Sequence, residues 1–204
     1  MFENLTITVN PGHPPRYSSE EIVHLTGIIG IHPDLSKHDD INIEISPFVD
    51  CTRVVVSSAA IKYLLFVIYY SFNCIDNLNI RATHLRSGIA SKWVLSQSTA
   101  ATAQRLKHLE AYAFREGTTA EWSGYIVWGK LGYLMHGDSL GEFENLMNDK
   151  GRSEKSLEEL ISHTEGLEFW IAEGFPWQGR FDLAIGSESE WMLKNYIERK
   201  NKQS

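Results

Sequence analysis

Between Ile41 and Ser57 the chain alternates, breaks and alternates again. Ile41-Asn-Ile-Glu-Ile45 places an apolar residue at every second position, the period of a half-buried strand. Pro47 to Cys51 interrupts the pattern, and Thr52-Arg-Val-Val-Val-Ser57 returns with a β-branched run. This is a β-hairpin written in sequence, and it commits the chain to a fold containing sheet. Its turn carries one acidic residue, Asp50.

The flanking segments extend the pattern. Leu5-Thr-Ile-Thr-Val9 alternates as a strand, and Asn10-Pro-Gly-His-Pro-Pro15 must end it. Ser18 followed three residues later by Glu21 is a capping-box signal, predicting a helix that runs towards Ile31 and stops before Pro33. Ala59 to Ile75 reads as a helix, Leu78 to Ala82 and Leu85 to Val94 as extended chain, Ser98 to Glu116 as a helix closed by Gly117, and Gly124 to Trp128 as a short strand. The order strand, helix, strand, strand, helix, strand, helix, strand predicts an α+β fold with a ferredoxin-like antiparallel sheet and helices on one face. Beyond a polar loop at Asn148 to Ser156, a short helix at Leu157 to Thr164 precedes a C-terminal hairpin. That hairpin joins Leu167–Ile171 to Arg180–Ile185 through Pro176-Trp-Gln-Gly179, and a last helix spans Glu188 to Lys200. The 204 residues are read as a single domain, with a core to about residue 130 and a C-terminal extension after it.

Bulk composition narrows the class. Hydrophobic residues make up 43%, enough for a real core. A net charge of −7 argues against a nucleic-acid partner, which would call for a basic face. It leaves a nucleotide open, because a metal ion neutralises phosphate locally. Cys51 and Cys74 make no disulfide framework and suit reduced thiols in a cytoplasmic protein, and the first residues show no signal-peptide pattern. The most apolar stretch, Tyr63 to Ile75, is about 13 residues, short of the ~20 needed to span a bilayer. A membrane-surface role for it would want a basic flank, and the single adjoining Lys62 does not make one.

Several residues invite chemistry. A carboxylate at a hairpin tip can meet a metal-bound phosphate, since Mg²⁺ takes one or two carboxylates together with phosphate oxygens and water. Asp50 fits that position, although an Asp in a turn also serves to bond its own backbone. His32, His38, Asp39 and Asp40 share a loop with zinc-compatible ligand types but no zinc spacing. The serines lie in no Gly-x-Ser-x-Gly elbow, and no Gly-rich phosphate loop occurs. Tyr112, Trp122, Trp128 and Trp177 are candidates to stack on a base, or simply core residues.

Three segments taken together resemble class III nucleotidyl cyclases. They are the Asp50 hairpin, Arg86-Ser-Gly-Ile-Ala-Ser-Lys-Trp-Val94 against a strand reading Arg-x-Gly-Ile-x-x-Gly-x-Val, and Ala100-Ala-Thr-Ala-Gln-Arg-Leu-Lys107 against the helix that follows. Leu109 to Phe114 and Glu121 to Val127 are similar to the bacterial pyrimidine cyclases that signal phage infection. The likeness spans roughly residues 41 to 128. It implies a cyclase-type sheet, a nucleoside triphosphate substrate, Mg²⁺ or Mn²⁺ held by Asp50, transition-state charge met by Arg105, phosphate contacts from Arg86 and Lys92, and a homodimer. The chain departs from the pattern where the first strand lacks its Asp, where Lys92 replaces a Gly, and where Ala101 replaces an Asn. Residue by residue, Arg105 also suits a helix ion pair, Arg86 a strand-edge salt bridge, and Lys92 a solvated surface. Two classes of function therefore follow: an enzyme closing a nucleoside triphosphate to a 3′,5′-cyclic nucleotide and pyrophosphate, or a non-catalytic α+β module binding a nucleotide or a protein partner.

Overall fold

The computed structural model describes residues 5–31, 40–58, 61–82, 89–114 and 124–203. The fold is α+β, as expected, with mostly antiparallel strands. It divides into two compact units, Met1–Leu109 and Glu110–Ser204.

In the first unit, β1 (Leu5–Val9) is followed by α1 (Ser19–Leu25) and α2 (Ile28–Ile31). Four strands come next, β2 (Ile41–Pro47), β3 (Cys51–Ser57), β4 (Ile61–Tyr69) and β5 (Cys74–Ala82), and then α3 (Ile89–Ala103). The sheet order is β1-β2-β3-β4-β5. β1 runs parallel to β2, and the later neighbours are antiparallel. This sequential meander differs from a ferredoxin-like sheet, in which each βαβ unit is split by another strand. Alternation works as the sequence implied: Ile41, Ile43 and Ile45 are buried while Asn42 and Glu44 are exposed. Burial of each such side chain contributes about 2 kcal/mol.

Helix α1 starts where the capping box predicts. The Glu21 amide donates to Ser18 Oγ (3.2 Å) and the Ser18 amide to a Glu21 carboxylate oxygen (2.7 Å). It ends early, at Leu25, because Thr26 turns the chain and Gly27 takes a left-handed φ of 70°. The Thr26 hydroxyl donates to Val23 O at 2.6 Å and accepts from the Ile28 amide at 3.2 Å. Gly30 in α2 then lies so close to α3 that a Cβ there would sit 2.4 Å from the Cβ of Ser96. Its amide donates to Ser96 Oγ at 3.2 Å. A buried amide pair locks α3 to the sheet: Asn77 Nδ2 donates to Gln97 Oε1 (3.0 Å), and Gln97 Nε2 donates to Asn77 Oδ1 (3.1 Å) and to Leu25 O (3.2 Å). Trp93 Nε1 donates to Thr26 O at 2.6 Å. The Asn77, Gln97 and Trp93 side chains are buried, so each of their bonds removes a desolvation penalty as well as adding an attraction.

Three expectations for this unit are corrected. The helix read over Ala59 to Ile75 is two strands, β4 and β5, broken by the Tyr70–Asn73 turn, where Asn73 has φ 50°. A continuous apolar run cannot by periodicity tell a doubly buried strand from a buried helix, and its Val, Ile, Tyr and Phe favour the strand. The extended chain read into Leu85 to Val94 is, from Ile89, helix α3, whose buried Ile89, Trp93, Gln97 and Ala101 recur every fourth residue. The helix expected to reach Glu116 stops at Ala103; the chain turns through a left-handed Arg105 (φ 57°) into β6 (His108–Ala113).

The second unit takes up β6 and adds α4 (Gly124–Lys130), β7 (Leu134–Met135), α5 (Asp138–Asp149), α6 (Leu157–Ile161), α7 (Thr164–Glu173), β8 (Trp177–Asp182) and α8 (Glu188–Gln203), with strand order β6-β8-β7. Its core is aromatic. Trp170, Trp177, Tyr133, Phe143 and Phe181 are almost wholly buried, with ring centroids 5.6 Å apart for Tyr133–Phe181 and 6.0 Å for Phe143–Trp170. Two strand expectations are corrected to helices. Gly124–Trp128 falls in α4, and Leu167–Ile171 falls in α7, which His163 caps by accepting the Gly166 amide at 3.1 Å. With α7 in place of a strand, the Pro176–Gly179 hairpin does not form, and β8 pairs with β7 instead. The last helix is present as expected.

Candidate functional site

Antiparallel pairing of β3 with β4 sets Cys51 opposite Tyr69, so the β2–β3 and β4–β5 turns emerge at one end of the first unit's sheet. The Phe48 amide donates to Cys51 O (2.8 Å) and closes the first turn, and the Tyr70 amide donates to Asp50 O (3.0 Å) and ties the second turn to it. Asp50 is exposed at this tip. The Lys107 amide donates to Asn73 O at 2.7 Å, which anchors the segment carrying Arg105 to the same end. The fold thus brings Asp50 and Arg105 to one edge of the unit. Among the described residues, Asp50 belongs to no group of three or more His, Cys, Asp or Glu with ligand atoms within 4.8 Å of one another. Asn10, which follows β1, is committed to that edge's architecture: its side-chain amide donates to Glu44 (2.7 Å) and to Ser46 Oγ (2.9 Å). Burial first, and then the charge of Asp50, raises the Cys51 thiol above its ordinary value.

Lys92 sits elsewhere. It is exposed on the first turns of α3, with about 16 Å of helix between it and Ala103, the end from which Arg105 projects. Arg86 lies outside the described residues, as do His32, His38, Asp39 and Trp122. Of the three segments behind the cyclase likeness, the hairpin occupies its expected element, Ile89 to Val94 is helix where strand was expected, and the last segment runs off the end of α3.

A groove of about 640 Å³ opens between α1 and α3, and Lys92 lines it together with Glu20, His24, Leu95, Thr99 and Ala103. The geometry follows from side-chain size: Ala100 and Ala103 leave α3 low on the side facing α1. Glu21 also lines it, its carboxyl held below the usual range chiefly by the Ser18 amide, then by the Ser18 hydroxyl and Gln104. Carboxylates and one ammonium around an apolar floor can hold a cationic or zwitterionic group, and they repel a polyphosphate. Sequence reading missed this groove. The one local sign was Glu20 and His24, spaced four apart on one face of α1.

Further clusters lie at other places. The Cys74 thiol and a His108 ring nitrogen come within 4.8 Å of each other in the first unit. In the second unit Glu110 receives Arg180 at 2.8 Å. Burial and Arg180 push His136 below its ordinary value, against the opposing charge of Glu110. Arg152 grips both carboxylate oxygens of Glu154 and packs over the Phe169 ring at 4.8 Å, while His163 Nε2 lies 3.3 Å from the same carboxylate. The Arg152 bonds hold Glu154 down to about 2. Of the proposed stacking residues, Trp177 is wholly buried, Trp128 packs edge-on to Tyr133, and Tyr112 is exposed beside Phe114.

No helix among the described residues is long and apolar enough to cross a membrane. No family model matches the chain, and no curated protein or solved structure matches it either.

Proposed function

We propose that this chain is a non-catalytic α+β binding module, and that its ligand is a protein partner presenting Lys or Arg beside apolar side chains. The observation that carries this reading is the α1–α3 groove, whose carboxylates Glu20 and Glu21 outnumber Lys92 over a floor of small and apolar residues. The acidic balance of the whole chain favours the same class of partner.

The enzyme reading, a cyclase taking a nucleoside triphosphate with Mg²⁺ or Mn²⁺ as a homodimer, draws support from one placement: Asp50 and Arg105 share an edge of the first unit. One experiment separates the two. A photoreactive side chain installed at Thr99 should cross-link a single partner in cells, and Glu20→Lys or Ala100→Arg should abolish the adduct without lowering the melting temperature. In parallel, the purified chain is heated with each nucleoside triphosphate and Mn²⁺. Stabilisation that disappears in Asp50→Ala, together with a cyclic product, overturns the module reading in favour of the enzyme.

A further inference from the structure

The tip end of the first unit carries a second surface, independent of the groove. Phe48 and Val49 in the β2–β3 turn are 52% and 65% exposed, and Phe72 in the β4–β5 turn is 66% exposed. The Tyr70-to-Asp50 backbone bond holds the two turns side by side, and Tyr69 steadies Phe72 edge-on at 6.3 Å. A third loop joins them, because Gly12 packs directly against Pro47. That loop delivers Arg16, whose amide donates to the Tyr70 hydroxyl (3.3 Å) and whose guanidinium lies 5.7 Å over the Tyr70 ring. From the far side, the chain leaving α3 brings exposed Arg105 and Lys107, anchored through Asn73. Cations from residues 16, 105 and 107 therefore flank apolar tips from residues 48, 49 and 72, with Asp50 as the acid of that turn. Beside Tyr63 to Ile75 the sequence offers only Lys62, and folding adds Arg16, Arg105 and Lys107 at the tips.

We propose that these loop tips dock on an anionic lipid surface, with Phe48, Val49 and Phe72 entering the interface and Arg16, Arg105 and Lys107 facing the headgroups. Shape and area favour lipid over a protein partner. The tips project instead of forming a groove, and their apolar exposure is on the order of 350 Å². A protein interface of standard size takes about 800 Å² from each partner, whereas a bilayer boundary accepts single apolar side chains one by one. The cations match the negative surface potential of such a membrane.

The test is co-sedimentation with vesicles of phosphatidylcholine containing increasing phosphatidylserine. The expected result is binding that rises with the anionic fraction and falls with added NaCl. Phe48→Ser and Phe72→Ser should each weaken it about tenfold, and Lys107→Ala or Arg105→Ala about fivefold. All four positions are exposed, so melting temperature and circular dichroism should stay at wild-type values. Three results overturn the proposal: no binding of the wild type to any vesicle, binding that both serine variants retain, or vesicle-independent self-association that Phe72→Ser abolishes. The last would make the tips a contact between two copies of this chain.

Discussion

The two compact units hold themselves together by different means. The first packs β-branched strands under helices and fastens α3 to the sheet with a buried amide pair, Gln97 and Asn77. The second packs five large rings, and its charged network, Arg152 with Glu154 and His163, sits at the surface of that packing. The lesson concerns error tolerance. A ring cluster loses stability in proportion to the volume removed, whereas an amide pair fails through the partner left behind. The ring cluster is damaged by any truncation; the amide pair can be rescued by removing both members.

The sharpest break comes in the second unit. Trp170→Ala removes a fully buried indole that touches Phe143 and Phe175, and should cost about 3–5 kcal/mol by urea titration. A loss below about 1 kcal/mol would show that the rings are loosely packed. Next, Gln97→Ala removes both hydrogen bonds that join it to Asn77 and the one to Leu25 O, and should cost about 2–3 kcal/mol. The double change Gln97→Leu with Asn77→Leu should restore part of that loss; if the double variant is as weak as the sum, the bonding of the pair is not what matters.

Smaller still is the contribution of Glu154, whose side chain is 11% exposed. Its folded pKa is depressed to about 2. The associated stability is therefore complete above the unfolded value near 4.3 and disappears as pH falls from about 4.3 through about 2. Glu154→Gln should cost about 1–2 kcal/mol at pH 7 after allowing for solvent screening, and the gap to wild type should narrow to a small remainder by about pH 2. A gap that persists there would assign the effect to shape instead of charge. Last, Ser18→Ala removes the α1 cap and should cost about 1 kcal/mol, read as a lower midpoint in thermal melts.

Local signals were legible where the physics is local. The capping box at Ser18, the β2–β3 hairpin with Asp50 at its tip, and the last helix all appear within a few residues of their expected limits. Tyr63 to Tyr69 was not legible, because its half-buried face carries Tyr63, Leu65 and Tyr69, as apolar as the buried face, and leaves no alternation in the sequence to read. Residues 89–103 were misread for a different reason: Ser91, Gln97 and Ser98 lie on the buried face while Leu95 is exposed, so the amphipathic signal is weak, and Gln97 belongs inside because it meets Asn77. The site follows the same rule. Asp50 was findable from its turn, but the groove joins residues 20–24 to residues 92–104, and the basic rim of the tips joins residue 16 to residues 105–107. Only the folded chain brings those pairs together.

The contact between Gly30 and Ser96 has a consequence for how this chain can diverge. At 2.4 Å there is room for one β-carbon, not two, and the serine hydroxyl is already spent on the glycine amide. A Cβ at position 30 would also stand 2.9 Å from the Lys92 carbonyl oxygen, which no change at position 96 removes. A deep mutational scan should therefore find position 30 closed to every side chain, alanine included, even when position 96 is glycine.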